Sequence, residues 1–384
     1  MNRRRQYDVA VIGAGAFGAW TAYHLRRQGK QVALLDAYGP GHSRSSSGGE
    51  TRIMRMAYGP DEIYTRFALR SMKLWRAFER RSGEQCFLRT GMLWLARKQD
   101  RYPQESLRTL KTLRVPCEKL SRAELSKRFP QFSWRGIEWG LFEPEAGVLM
   151  ARRAVQAVAT QAIAGGVEYI AEAVQPPPTA SRLDAVVTNT GRRITAGEFV
   201  FACGAWLPRL FPDNVGKRIF PTRQEIFFFS VAPGNNRYTP AVMPAWYSYA
   251  DHIYGVPDVE NRGIKIGFDA HGPRFDPETA DRLVSPRSVR AMREHLRTYF
   301  PELCDSPLAE TRVCSYENTS NGDFLIDRHP SVDNVWIAGG GSGHGFKHAP
   351  AVGEYVAELI AANVRAEPRF SYPSKATAQS REVY

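Results

Sequence analysis

Residues 7–36, YDVAVIGAGAFGAWTAYHLRRQGKQVALLD, constrain this chain more than any other stretch. A short apolar run, Tyr7–Ile12, meets the turn Gly13-Ala14-Gly15-Ala16-Phe17-Gly18. Trp20, Tyr23, His24 and Leu25 then follow at helical spacing. Gly29 stops that helix, and QVALLD reads as a second buried strand closing on Asp36. Each part has a physical task. The first glycine allows a tight turn, the second lets backbone approach a pyrophosphate, and the third lets helix and strand pack closely. The helix, opening at Ala16 and Phe17, turns free N–H groups and a positive dipole end toward the phosphates. Asp36 can accept hydrogen bonds from a ribose diol. A lone GxGxxG says little, but strand, glycine turn, helix, strand and acid in this order predict a dinucleotide site.

The next stretch bears on which dinucleotide. AYGPGHSRSSSGGETRIMR is polar and rich in Gly and Ser; it contains Ser43 and leads through Thr51 and Arg52 to Arg55. Such a loop can wrap phosphates and the edge of a flavin ring; an ordinary flexible loop would look the same. A second turn of this kind closes the chain. NVWIAGGGSGHGFKHAPAVGEYVAELIAANV reads as a strand, a loop of five glycines and a helix. Gly341, Gly343 and Gly345, with His344 and Phe346 among them, give a backbone that can approach a flat heterocycle. Lys347 falls at the N-terminal side of that helix, where the dipole disfavours a cation, so a ligand role is expected. EFVFACGAW ends a further buried strand at Cys203-Gly204, where an open α/β sheet meets its ligand.

The 384 residues, 43% hydrophobic and 11% aromatic, suffice for two domains or one elaborated domain with a full core. No apolar run approaches the roughly 18–20 residues that span a bilayer, and MNRRRQYDVAVIG passes from a basic tag straight into a strand, unlike a signal peptide. The net charge is +13, but the arginines are dispersed among acids with no basic helix, which argues against a nucleic-acid partner. The five cysteines, at 86, 117, 203, 304 and 314, form no CxxC pair. That pattern fits reduced thiols in a cytoplasm and no metal site.

Between the two glycine turns, residues 61–83 read as an amphipathic helix and 86–96 as a hairpin-like strand pair around Thr90-Gly91. Residues 104–129 read as two helical pieces, and a turn and long helix follow from 142. The strands VEYIAEA, LDAVVTN and GRRITAGEFV come next, and QEIFFFSV, DHIYGVP and GIKIGFD suggest a mixed sheet. The C-terminal AEPRFSYPSKATAQSREVY reads as a strap or tail without a peroxisomal SKL ending. In RVCSYENT, Cys314 stands between apolar residues, two before Tyr316. It reads equally as a buried thiol or a nucleophile.

VIGAGAFGAWTAYHL, GGETRIMRMAYG, ACGAW, DHIYGVP, GIKIGFDAHG, RVCSYENTSNGDFLIDRHP and GGGSGHGFKHAPAVGE resemble, in order and spacing, the D-amino-acid-oxidase superfamily of flavoenzymes, and within it the monomeric sarcosine oxidase group. The resemblance implies an α/β Rossmann-like FAD domain (1–84, 143–216 and 318–370), interleaved with an α+β substrate domain (85–142 and 217–317) and followed by a tail at 371–384. It implies FAD bonded covalently through Cys314, Arg55 and Lys347 gripping a substrate carboxylate, and Lys265 beside flavin N5 where oxygen is activated. It also implies Tyr254 and, less directly, Tyr316 lining the substrate cavity, in a monomer.

Three positions depart from that pattern: Gly48 and Asp269 stand where sarcosine-using members carry histidines, and Gly341 where they carry an aromatic residue. The two glycines suggest an opened pocket, and Asp269 a negative charge beside it, hence a substrate bulkier than sarcosine or one with a positive group. The implied reaction is hydride transfer from the C–N carbon of an amino acid or N-alkyl amino acid to flavin N5. Imine hydrolysis and reoxidation by O2 to hydrogen peroxide would follow. The alternatives are a dehydrogenase or biosynthetic desaturase on the same fold, and a basic protein that keeps FAD only as structure.

Overall fold

The structure, a computed structural model, describes residues 6–378. Tyr7–Ile12 is central in a seven-stranded sheet. It runs parallel to Val32–Leu35 on one side and to Arg193–Phe201 on the other. Glu168–Ile170 extends the first side; Val335–Gly339 and then Leu325–Arg328 extend the second. Ala185–Val187 pairs off Arg193–Phe201, antiparallel. Helices cover the sheet, which is why its inner strands are apolar on both faces and not alternating. The helix Ala16–Arg27 packs on Ala349–Ile360 so closely that a Cβ on Gly353 would lie 2.5 Å from the Trp20 backbone.

A second, mixed sheet has eight strands in the order Leu308–Thr319, Ile219–Phe229, Ile264–Phe268, Ile253–Val256, Ala245–Ser248, Met92–Ala96, Trp139–Glu143 and Glu118–Ser121. Ala245–Ser248 and Met92–Ala96 run parallel, and the other neighbours antiparallel. Thr51–Met54, Gly147–Met150 and Phe87–Leu88 form a small third sheet. One continuous core joins the parts: Val11 and Trp20 belong to the same apolar cluster as Trp94 and Tyr247.

Two readings change and a third sharpens. Residues 86–96 are not a hairpin, because Phe87–Leu88 joins the small sheet while Met92–Ala96 joins the eight-stranded one. The chain swings between sheets at Gly91, whose φ is +76°. The two helices Arg101–Thr112 and Arg122–Arg128 are separated by an edge strand, Glu118–Ser121, with Leu120 its one buried residue. The tail is a strap as far as it is described: the Tyr372 N–H donates to Asp327 Oδ2 at 2.9 Å, and buried Lys375 donates to Asn321 Oδ1 at 3.1 Å. The rest of it, and the N-terminal basic tag, lie outside the described residues. Strands Trp139–Glu143 and Leu308–Thr319 run past the expected borders at 142 and 317. We keep the two-domain division as a proposal.

Candidate functional site

A cavity of about 550 Å³ runs from the Gly13 turn, between the two large sheets, to the chamber around Tyr254 and Lys347. Gly13 and Gly18 serve the fold. A Cβ on Gly13 would sit 2.5 Å from the Ala202 carbonyl oxygen, and one on Gly18 would sit 1.8 Å from that of Gly13. Gly15 is different: a Cβ there would meet only Ser47 Oγ, at 3.4 Å, and its space belongs to the cavity. No side chain caps the helix Ala16–Arg27, and no acid lies in its first turn. Asp36 accepts from Ala14 N at 2.7 Å and from Tyr38 N and Gly39 N at 2.8 and 2.9 Å, which fixes its carboxylate at the cavity edge. These features fit a dinucleotide.

Ala16, Phe17, Cys203, Gly204, Gly341, Gly343, His344, Gly345 and Phe346 also line the cavity. Burial pushes the Cys203 thiol far above its ordinary value, which disfavours the thiolate. Three expected contacts do not line it. Ser43 is exposed on the loop, whereas His42, Ser45, Ser46 and Ser47 face inward. Gly18 lies beneath Gly13, and Thr51 is buried opposite Met150 in the small sheet.

The far end holds the chemistry. Cys314 is half-buried on Leu308–Thr319, opposite Gln224, with its sulfur 3.7 Å from Arg52 Nη2. The Arg52 guanidinium also donates to the Thr51 carbonyl, at 2.7 Å. Lys265 is 2% exposed, and its Nζ donates to the same carbonyl at 2.8 Å. Burial first, then the Arg52 charge, push its pKa well below the ordinary 10.5. Arg55 is buried between aromatic faces, 4.2 Å from the Tyr58 ring centroid and 5.1 Å from that of Trp94. Burial opposes its charge, but Tyr58, Tyr102, Asp269 and Glu143 hold it protonated. Lys347 Nζ donates to Tyr58 Oη at 2.9 Å; burial and nearby Arg55 lower its pKa strongly. Tyr254 and Tyr316, hydrogen-bonded to each other, form one wall; burial raises the Tyr254 hydroxyl to about 12. Asp269, also buried, accepts from Tyr247 Oη at 2.9 Å.

Two departures acquire a physical reason. A Cβ on Gly48 would lie 1.9 Å from the His42 carbonyl oxygen, so this glycine closes a loop and does not open the cavity. Gly341 does face the cavity, but the space beside it holds Glu317, whose Oε1 would lie 3.3 Å from an added Cβ. Sequence reasoning missed Glu317, Glu143 and Tyr247. Glu143 is fully buried and accepts from Met56 N, Ala57 N and Trp94 Nε1 at 2.7, 3.1 and 3.0 Å, bracing the chain just after Arg55. Its signal was an acid ending the apolar run WGLF.

A dinucleotide cradle opening into a chamber of buried cations and tyrosines defines a cofactor-dependent redox enzyme. Residues 8–359 match the family described as FAD dependent oxidoreductase, DAO, and the chain belongs to it. Monomeric sarcosine oxidase of Streptomyces avermitilis is 34% identical over 369 residues, 94% of this chain and 95% of that one. Human peroxisomal sarcosine oxidase is 34% identical over 364 residues, 92% of each chain. The solved L-proline dehydrogenase of P. horikoshii shares the fold, with a TM-score of 0.86 at 23% identity over 98% of this chain and 100% of that one.

Proposed function

We propose that this enzyme oxidises an amino acid or N-alkyl amino acid at the carbon bearing the nitrogen. The observation that carries the reading is the pair Arg55 and Lys347, both buried and both facing the cavity that holds Cys314. Burial and nearby Arg55 oppose a charge on Lys347, so the site favours an anion that would restore it, beside the acids Asp269 and Glu143 that already support Arg55. A substrate carboxylate is such an anion, and the Arg55 fork can take it with two hydrogen bonds.

Gly15, the uncapped helix after it and Asp36 would hold the dinucleotide end of FAD, and Cys314 would bond its ring. A flavin bound there would supply the acceptor for a hydride from the C–N carbon and the route of its electrons to oxygen. The remaining work belongs to the chain. Arg55 and Lys347 fix the carboxylate and thereby aim the amine. Tyr254 and Tyr316 enclose the reacting carbon and limit water. Lys265, when protonated, stabilises the negative charge that builds on oxygen. Asp269 adds a negative charge to the wall, which favours an amine with a positively charged side chain. We place the protein in the cytoplasm as a monomer; no helix among the described residues is long and apolar enough to cross a membrane.

Purified holoenzyme mixed with sarcosine, N-methylated aromatic, cyclic and cationic amino acids tests this in an oxygen electrode. Oxygen uptake with equimolar peroxide for at least one of them is the expected result. Turnover seen only with an artificial electron acceptor would make the protein a dehydrogenase, and none with either acceptor would remove the reading.

A further inference from the structure

Glu317 stands three residues after Cys314 on the same strand, roughly 10 Å along it. Its carboxyl group receives the backbone N–H groups of Gly340 and Gly341. Its second oxygen, Oε2, is buried without a hydrogen-bond partner. Glycines leave room around that atom: a Cβ on Gly204 would lie 3.6 Å from it and one on Gly339 3.4 Å. A buried carboxylate oxygen with nothing to accept from is rarely left so in a finished protein. Glu317 lines the cofactor cavity and its side chain is only half-buried, so a turn of the carboxyl group brings an oxygen to a bound molecule that can supply the donor.

Its place along the cavity limits which part of that molecule it meets. On one side, the backbone of Ala202 and Cys203 lies against Gly13, the phosphate turn. Gly204, the next residue, touches Glu317. On the other side, Tyr316 lies over Gly343, where a Cβ would come within 2.7 Å of its ring. Cys314 lies beyond it. Glu317 therefore sits between the pyrophosphate turn and the ring end. In a flavin dinucleotide, the segment spanning that interval is the ribityl chain, whose hydroxyls are donors.

We infer that Glu317 is a cofactor ligand whose carboxylate accepts a hydrogen bond from a ribityl hydroxyl of FAD. The inference rests on the FAD reading and adds a residue to it. A carboxylate accepting from a hydroxyl makes a short, charge-assisted bond. Without the ligand, burial raises the Glu317 pKa to about 7, and a donated hydrogen bond favours its ionised form.

The test uses Cys314→Ser protein, in which the cofactor can be exchanged. After removal of flavin, dissociation constants are measured for FAD, riboflavin, lumiflavin and ADP, with and without Glu317→Gln and Glu317→Leu. Lumiflavin carries the ring without the polyol, and ADP the nucleotide without ring or polyol. The expected result is about tenfold weaker FAD and riboflavin binding in Glu317→Leu, a smaller loss in Glu317→Gln, and unchanged lumiflavin and ADP. Unchanged riboflavin binding, or an equal loss for all four ligands, would overturn the role. Glu317→Gln keeps the side chain's shape and carries the test if the leucine variant fails to fold. Absence of FAD binding in the Cys314→Ser parent would overturn the flavin reading itself, together with this one.

Discussion

Arg55 holds its charge where water is absent, against the faces of Tyr58 and Trp94 and near the acids Asp269 and Glu143. Lysine would keep the charge but lose the planar fork and the stacking. Arg55→Lys should raise KM ten- to a hundredfold for a carboxylate substrate, about 1.4–2.7 kcal/mol, with flavin content unchanged. Steady-state kinetics beside a flavin spectrum check it. Glu317 gives a prediction of a different kind. Its folded-state value of about 7 lies above the ordinary 4.5, so the folded protein keeps a proton that the unfolded chain releases. The Glu317 contribution to the stability of the flavin-free protein should therefore fall as pH rises from 4.5 to 7, by at most about 3 kcal/mol. Buried His24 acts with the opposite sign over much of that range, so the contribution is read as the difference in urea-unfolding stability between the natural chain and Glu317→Gln, which should shrink as pH rises. At this scale, residues in glycine turns and short motifs were legible. Asp36, Arg55, Lys265, Cys314 and Lys347 face one cavity. Ser43 and Gly48 were misplaced because the direction of a loop is set by its own hydrogen bonds. Glu317 and Tyr247 acquire meaning only from partners distant in sequence.

The first strand, turn and helix were readable as an element because Gly13 and Gly18 answer close backbone contacts and Gly15 faces the cavity. The same contacts separate folding from binding. Gly18→Ala would push a methyl group into the Gly13 carbonyl and should cost several kcal/mol or prevent folding. Gly15→Ala meets only Ser47 Oγ, so the melting temperature should hold while flavin content falls. Thermal melting of both variants, with bound flavin measured beside it, decides the matter; equal behaviour would contradict the distinct roles. Elements set by long-range pairing were less legible. The edge strand Glu118–Ser121 buries only Leu120, too little for an alternating pattern. The apparent hairpin at 86–96 failed because each half finds a better partner in a different sheet, one at Gly147–Met150 and the other at Trp139–Glu143.

Over the whole molecule, the sheets share one core, and the cavity lies between them. The C-terminal strap closes over the far side. Arg369 donates to both oxygens of buried Asp323, at 3.1 and 2.8 Å, and to Asp61 at 2.9 Å, while Asp323 also receives the Tyr64 hydroxyl at 2.8 Å. Arg369→Ala would leave a buried carboxylate short of its cation and should cost about 2–3 kcal/mol of stability, read by urea unfolding of the holoenzyme. The fold class was legible from two glycine turns at opposite ends of the chain. The interleaving of the two large sheets was expected from the family resemblance alone, because it depends on pairings such as Phe199 with Val335 that no local pattern announces.

The central claim is that one cavity holds FAD from the phosphate turn at Gly13 to a bond at Cys314. Acid precipitation of the purified protein, followed by a flavin spectrum of the washed pellet, tests it most directly. The pellet should stay yellow for the natural chain and turn colourless for Cys314→Ser, with flavin in the supernatant instead. A colourless pellet from the natural chain, or a yellow one from the serine variant, would contradict the bond.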